Sequence, residues 1–388
     1  MIRSPIARHA MRIMHTESSG GLGGQEFRTI AESESMARRG HDVLLVTQVG
    51  SRMECLARNA GLAVEPVHMN RWTLPSGIRK LYTLIGQFSP DIVHTHGSTD
   101  TWIAGIAARL SPRRPILIRT RHKATPISTG WLSRLLYEKL TDRIITTGET
   151  IRHAMHVRNG FDQTRMCSIP TGVDLHKLQS GSQDSHLREE LSLPPDAVLV
   201  GMVGFLRFEK GAFYFVEAAK HLLQSVKNCW FCIAGDGPIE EKLRARICEL
   251  GLENRVHLLG YRKDVPQILS ALDVLVLPTT GGEGISQVIL QALGLEKPVV
   301  ATDTGGTKEV VVHGHTGLLV PPADALALAH SVERVIKNAA TSKQMGINGR
   351  RLVEKSYSLD HMIEATERLY LTACSELRPS PLMTASGS

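Results

Sequence analysis

Aromatic residues are scarce in this chain of 388 residues, at 5%. No basic stretch carries them at regular intervals, which excludes a base-stacking platform for nucleic acid. No apolar run approaches the roughly 20 residues that a membrane-spanning helix needs. The opening MIRSPIARHAMRIMH lacks the apolar core of a secretory signal, so the expectation is a cytoplasmic protein. Cysteines number six, which fits reduced thiols in that compartment. Cys229 and Cys232 form a C-x-x-C, but NCWFCIAGDG reads as a strand, where residues three apart point to opposite faces. A redox pair needs a helix N-terminus to lower the thiol pKa, which a strand does not supply. There is no H-E-x-x-H and no D-x-D, the usual carboxylate pair for a metal-bound diphosphate. Charge is not extreme either. Lys and Arg number 45 against 38 Asp and Glu, a balance of +7 that favours phosphate-bearing or anionic partners without implying nucleic acid.

What the chain does have is a strand–helix alternation that runs twice. The first half offers MRIMHTE, HDVLLVTQ, DIVHTH, PILIRTRH, RIITTGE and MCSIPTG as strands. The second offers AVLVGMVGF, CWFCIAGDG, RVHLLGY, DVLVLPTT and PVVATD. Near-continuous Val/Ile/Leu strands with helical crossovers mean parallel sheets covered on both faces. Between the two runs lies DLHKLQSGSQDSHLREELSLPPDA, rich in Ser, Gly and Pro and read as the link. The expectation is an α/β protein of two Rossmann-like parallel domains facing a central cleft, residues 1–185 and 190–355. Sheets of this kind bind ligands beyond the carboxyl ends of their strands.

The chemistry-bearing residues fall at such places. After the first strand, Gly20, Gly21, Gly23 and Gly24 crowd a turn into a helix, where backbone N–H groups can approach an anion. A dinucleotide fingerprint begun at Gly21 would need glycine at Glu26, and the next strand ends LLVTQVG with no acid for a ribose, which removes NAD. His94 and His96 share a face at a strand end, an arrangement also found in metal hydrolases. Further ligands after later strands are only scattered. His122 closes another strand among Arg119, Arg121 and Lys123, cations that would keep it neutral and able to accept a proton. Arg207 and Lys210 lie in a strand-to-helix loop, one offering a fork for phosphate oxygens and the other a point charge.

The stretch LPTTGGEGISQVILQALGLEKPVVATDTGGTKEVVVHGHTGLLV closely resembles the donor-site region of retaining two-domain GT-B glycosyltransferases, group 1 or family four. GGQE, RRGHDV, DIVHTH, IPTGVD, EKG, IAGDGP, LGYRKDVP and DVLVLP follow in that family's order across nearly the whole chain. The resemblance implies transfer of a sugar from a UDP- or GDP-linked donor to a saccharide or lipid-linked acceptor in envelope polysaccharide or lipopolysaccharide assembly. It implies no cofactor and no metal, with protein cations in the metal's place. Glu283 would contact the donor sugar, and the N–H groups of Gly284, Ile285, Ser286 and Gln287 would meet sugar and phosphate. Gly23, Gly24 and Gly204 would border the donor, while Arg207 and Lys210 neutralise the leaving diphosphate. His122, with His94, His96 and Arg121 on the acceptor side, would bind the reacting sugar or assist proton transfer. The last helix, 358–374, would pack back on the first domain.

Two departures stand out. Gln291 occupies the place of the family's second Glu, and an amide can still bond ribose hydroxyls but carries no charge. Phe205 stands where many members carry a phosphate-binding Arg, with Arg207 as the natural substitute. Rival readings are a sugar-nucleotide 2-epimerase of the same fold, a metal-dependent hydrolase built on His94 and His96, and a non-catalytic sugar-nucleotide binder. A basic run, Arg109, Arg113, Arg114, Arg119, Arg121 and Lys123, precedes GWLSRLLYEKLTDR. That helix carries Trp131, Leu132, Leu135, Leu136 and Leu140 along one face, which suggests peripheral contact with an anionic membrane.

Overall fold

The computed structural model describes residues 10–21, 23–122, 125–183, 185–281 and 284–377. The chain divides into two compact units. The first holds seven parallel strands: β1 (Arg12–Glu17), β2 (Asp42–Gln48), β3 (Ala63–Val67), β4 (Ile92–Thr95), β5 (Ile116–Arg121), β6 (Arg143–Thr146) and β7 (Met166–Ser168). The second holds β8 (Val198–Val203), β9 (Cys229–Ala234), β10 (Val256–Gly260), β11 (Val274–Leu277), β12 (Val299–Thr302) and β13 (Leu318–Val320). Their orders are β3-β2-β1-β4-β5-β6-β7 and β10-β9-β8-β11-β12-β13. Each sheet therefore reverses direction once, between β1 and β4 in the first and between β8 and β11 in the second. Such switch points are where doubly wound sheets open a crevice.

The strands are buried on both faces because helices cover both. In the second unit Val200, Phe231 and Val276 belong to one apolar cluster, and their neighbours Leu199, Cys232 and Leu275 belong to the other. Cys229 and Cys232 likewise fall in different clusters, on opposite faces. Burial pushes both thiols up to about 12, so neither is reactive.

Two strands escape the sequence reading, β3 and β13. Both are sheet edges. β3 includes Glu65 and Pro66, and a residue without an N–H is tolerated only at an edge; β13 has three residues, too few for a pattern.

The domain boundary also differs from expectation. Among the described residues, the first unit comprises 10–122, 126–169 and 362–377, and the second takes 125 and 170–361. The stretch read as a link begins with a helix, Leu175–Gly181, and Leu178 and Leu187 sit in the second unit's core. Two well-placed leucines anchor a segment whose average composition is polar.

The final helix, Leu359–Leu377, joins the first unit from Met362 onward. Met362, Ile363, Tyr370 and Ala373 are buried there. Glu367 accepts from Arg39 Nη1 at 2.7 Å and faces His41 Nε2 at 3.1 Å.

The expected amphipathic helix after Gly130 is split. Trp131–Arg134 is α-helical and Leu135–Leu140 is a π-helix. The wider π turn rotates the apolar face. Leu136, Tyr137 and Leu140 are buried, whereas Trp131 and Leu132 are exposed at 72% and 51%. The basic run expected beside it does not form one surface. Arg119 is buried against Tyr137 and Ser98, and Arg109 is paired with Asp142 at 2.7 Å. Lys123 lies outside the described residues.

Candidate active site

At the carboxyl ends of β1, β4 and β5 the first unit gathers four histidines. β1 and β4 are neighbours in register, with His15 opposite His94. Side chains alternate along a strand, so His96 shares the face of His94, and their ring centroids lie 4.3 Å apart. His15 Nδ1 is 3.1 Å from His96 Nε2, and His96 Nδ1 is 3.2 Å from His122 Nε2. His94 stands beside this chain. Its Nδ1 is 2.6 Å from the Tyr370 hydroxyl and 3.1 Å from Glu32 Oε1, and its Nε2 is 2.7 Å from Thr120 Oγ1. Tyr370 donates to Glu32 Oε1 at 2.9 Å, and the Arg28 guanidinium lies 3.6 Å from the same carboxylate, with both side chains fully buried.

These groups are titrated apart by their surroundings. Burial pushes His15 down to about 3 and holds His96 and His122 well below the usual range. For His122 the next contribution is Arg28, with Arg119 a smaller one. Burial and a helix-borne arginine, rather than the cations flanking His122 in sequence, therefore keep it neutral. Burial opposes ionisation of Glu32, but His94, then His15 and Arg28, outweigh it and hold the carboxyl below its normal value.

Nearby, Asp100 Oδ2 accepts from Thr16 Oγ1 and the amides of His96 and Gly97, and its Oδ1 accepts from Ser18 Oγ. Glu17, at the end of β1, is raised to about 8 by burial and by the Asp100 charge.

The nitrogens of His15, His94 and His96 lie within 4.8 Å of one another, close enough for a metal ion. Their chemistry argues against a hydrolase centre. Both nitrogens of His94 are engaged by Tyr370 and Thr120, both of His96 by neighbouring imidazoles, and a buried guanidinium stands alongside. The same enclosure keeps His94, with no exposed surface, from touching an acceptor directly. Arg121 is half-buried at the end of β5.

The glycine turn leads into helix Gly24–Arg38 with Gly23 as its N-cap. Glu26 Oε2 accepts from the Gly23 amide at 2.7 Å. An anion at this turn would compete with that carboxylate.

At the switch point of the second sheet, the loop after β8 runs through Gly204 into a 3-10 turn, Phe208–Lys210. Gly211 has φ +76°, and a Cβ there would lie 1.9 Å from the Pro278 carbonyl oxygen, so only glycine lets this loop meet the one after β11. The Thr280 amide donates to the Glu209 carbonyl at 2.8 Å and ties the two loops together. Arg207 is exposed, and its guanidinium carbon sits 5.0 Å from the ring centroid of Phe205. The cation is thus carried beside Phe205.

From the end of β11 the chain enters helix Gln287–Gly294, N-capped by Ser286, with no side-chain cap hydrogen bond among the described residues. Uncapped N–H groups at the positive end of a helix are an anion site. A Cβ on Gly306 would lie 3.0 Å from Gly284 and Ile285 backbone atoms, so this loop is packed from behind. Ile285 and Ser286 are buried, Gln287 Nε2 donates to the Thr171 carbonyl at 3.2 Å, and Gln291 is half-buried. The flanking Ile289, Leu290 and Leu293 are fully buried, which puts Gln291 at the edge of the core. Glu283 lies outside the described residues.

Sequence reasoning missed His15, Glu17, Arg28, Glu32 and Tyr370. His15 lies near the end of β1, and it is the strand order β3-β2-β1-β4-β5 that sets it beside the histidines of β4 and β5.

Two Rossmann-like parallel sheets, each with its loops at the switch point, are the architecture of the GT-B class. Two family models cover most of the chain: "Glycosyl transferases group 1" matches residues 183–352 and "Glycosyltransferase Family 4" residues 22–177. The chain belongs to this group 1 and family four of glycosyltransferases and is a transferase. It is 26% identical over 378 residues to UDP-Gal:alpha-D-GlcNAc-diphosphoundecaprenol alpha-1,3-galactosyltransferase of Escherichia coli, covering 93% of this chain and 97% of that one. It is 28% identical to the lipopolysaccharide core biosynthesis mannosyltransferase LpsB of Rhizobium meliloti, over 62% of this chain and 68% of that one. Among solved structures, the Anabaena protein HepE in complex with UDP and glucose superposes with a TM-score of 0.82 at 22% identity, covering 93% of this chain and 100% of HepE.

Proposed function

We propose that this protein transfers a sugar from a nucleoside-diphosphate sugar, UDP- or GDP-linked, to a saccharide or lipid-linked acceptor of envelope polysaccharide or lipopolysaccharide, with retention at the anomeric carbon. The carrying observation is the tied pair of loops at the second sheet's switch point. They bring Arg207 and Lys210 to the same strand ends as the start of the helix at Ser286. Fixed cations and a helix dipole aimed at a departing diphosphate stabilise charge as it develops, where electrostatic catalysis gains most. This arrangement needs no metal in the residues' own account. Gln291 supplies an amide for ribose hydroxyls, and Glu283 the carboxylate for the sugar. The lipid-linked acceptor named for the Escherichia coli relative and the lipopolysaccharide core biosynthesis named for the Rhizobium one support the envelope setting.

No helix among the described residues is long and apolar enough to cross a membrane. Contact with the inner face of the cytoplasmic membrane would instead be peripheral, through exposed Trp131 and Leu132 beside exposed Arg134. Sedimentation with anionic vesicles at low salt, reversed at high salt, is the expected result.

The functional reading is tested by NMR of the product formed from UDP- and GDP-sugars with a lipid-linked saccharide acceptor. An acceptor-linked sugar of unchanged anomeric configuration supports it. An epimerised sugar formed without any acceptor would replace it with the isomerase.

A further inference from the structure

His122, His96 and His15 form a line of imidazoles joined nitrogen to nitrogen, at 3.2 Å and 3.1 Å. Each ring is neutral, because burial holds His96 and His122 well below the usual range and His15 at about 3. A neutral imidazole has one N–H and one lone pair, and each contact needs one of each. Three neutral rings therefore have two arrangements, with all N–H groups pointing one way along the line or all pointing the other.

The inner end decides between them. His15 Nε2 is buried with no hydrogen-bond partner among the described residues. If the line points inward, that atom is an N–H with no acceptor, the rarer and costlier orphan; if outward, it is an unused lone pair. The outward arrangement has His15 Nδ1–H donating to His96 Nε2, and His96 Nδ1–H donating to His122 Nε2. His122 must then carry its proton on Nδ1, which has no hydrogen-bond partner among the described residues.

We propose that His15 and His96 are positioning residues that fix His122 as the Nδ1–H tautomer, making it a hydrogen-bond donor to a sugar oxygen rather than a base. This rests on the glycosyltransferase reading for its catalytic consequence, but not for the tautomer itself. A donor at this place orients a hydroxyl or ring substituent of the reacting sugar and takes no proton, which leaves deprotonation of the acceptor to the departing phosphate.

The test has two arms. In the first, long-range proton–nitrogen correlation spectra of histidine-labelled protein, assigned with His122→Ala, report the tautomer of His122 directly. The outward line predicts a protonated Nδ1 and an unprotonated Nε2. In the second, His15→Leu removes the donor to His96, while His15→Asn places an amide N–H where Nδ1–H stood. His15→Leu should lower kcat about tenfold, the worth of one hydrogen bond, with KM for the nucleotide sugar unchanged. His15→Asn should restore most of the rate.

A protonated Nε2 on His122 in the unmodified protein would overturn the proposal, and so would stoichiometric zinc bound to the histidines. Equal rates for His15→Leu and His15→Asn would overturn it as well. Should His15→Leu fail to fold, the spectrum of the unmodified protein still decides. If the unmodified protein transfers no sugar, the functional reading fails, and the tautomer remains measurable on its own.

Discussion

Acid should unfold the first unit unusually steeply, and the structure sets the slope. His15, His96 and His122 are all depressed by burial. In the unfolded chain they take up protons below their model value of 6.5, whereas in the folded chain they stay neutral. Their contribution to stability is complete above pH 6.5 and is lost as pH falls. Glu17 acts in the opposite sense: raised from 4.5 to about 8, it holds a proton in the fold that the unfolded chain gives up. Between pH 4.5 and 6.5 the unfolded state therefore binds three more protons on histidine and one fewer on Glu17, a net of two. Two protons correspond to about 2.7 kcal/mol per pH unit. From pH 6.5 to 5 the first unit should lose about 4 kcal/mol, a large part of the roughly 5–15 kcal/mol a protein commonly has. Above pH 6.5 Glu17 alone remains, and stability should fall by about 1.4 kcal/mol per unit toward pH 8. The assay is urea unfolding of a Trp230→Phe variant, whose remaining tryptophans, Trp72, Trp102 and Trp131, all lie in the first unit. Stability should peak near pH 6.5, and His96→Gln should remove one proton from the acid slope. A transition that is flat from pH 6.5 to 5 would refute the buried neutral cluster.

Other outcomes follow from the second unit and from His122. Lys210→Ala, Arg207→Ala and Glu283→Ala should each cut turnover by about two orders of magnitude or more in steady-state assays, the scale of losing a transition-state contact. Gln291→Glu should remain active, since an acid also bonds ribose hydroxyls. His122→Ala should lower kcat more than it weakens donor binding, and unchanged kinetics would return His122 to a structural part. Gly211→Ala should destabilise the second unit by about 1–3 kcal/mol or more in thermal unfolding, because φ is +76° and the added methyl meets the Pro278 carbonyl.

Legibility followed chemistry that is local in sequence. Interior strands were readable because burial on both faces demands unbroken Val, Ile and Leu. The edges β3 and β13 were not, because an edge tolerates Pro66 and brevity. Arg207, Lys210 and the start of helix Gln287–Gly294 were readable because the strand-to-helix rule places them without side-chain detail. The histidine line was half visible: His94, His96 and His122 end strands, but linking His15 to them required the β1–β4 pairing. Arg28 and Glu32 have the i,i+4 spacing of an ordinary surface pair, and only tertiary packing makes them a buried pair beside the histidines. Tyr370, from the far end of the chain, was beyond any local pattern. The basic stripe failed for the matching reason, since charge counts do not reveal that Arg119 points inward onto Tyr137.

The most direct measurement is release of nucleoside diphosphate from UDP- and GDP-sugars, with and without a lipid-linked saccharide acceptor, in the unmodified protein and in Lys210→Ala. The account predicts release that requires acceptor in the unmodified protein and falls about a hundredfold in the variant. Acceptor-dependent release of equal rate in Lys210→Ala, or no release with any nucleotide sugar, would contradict it.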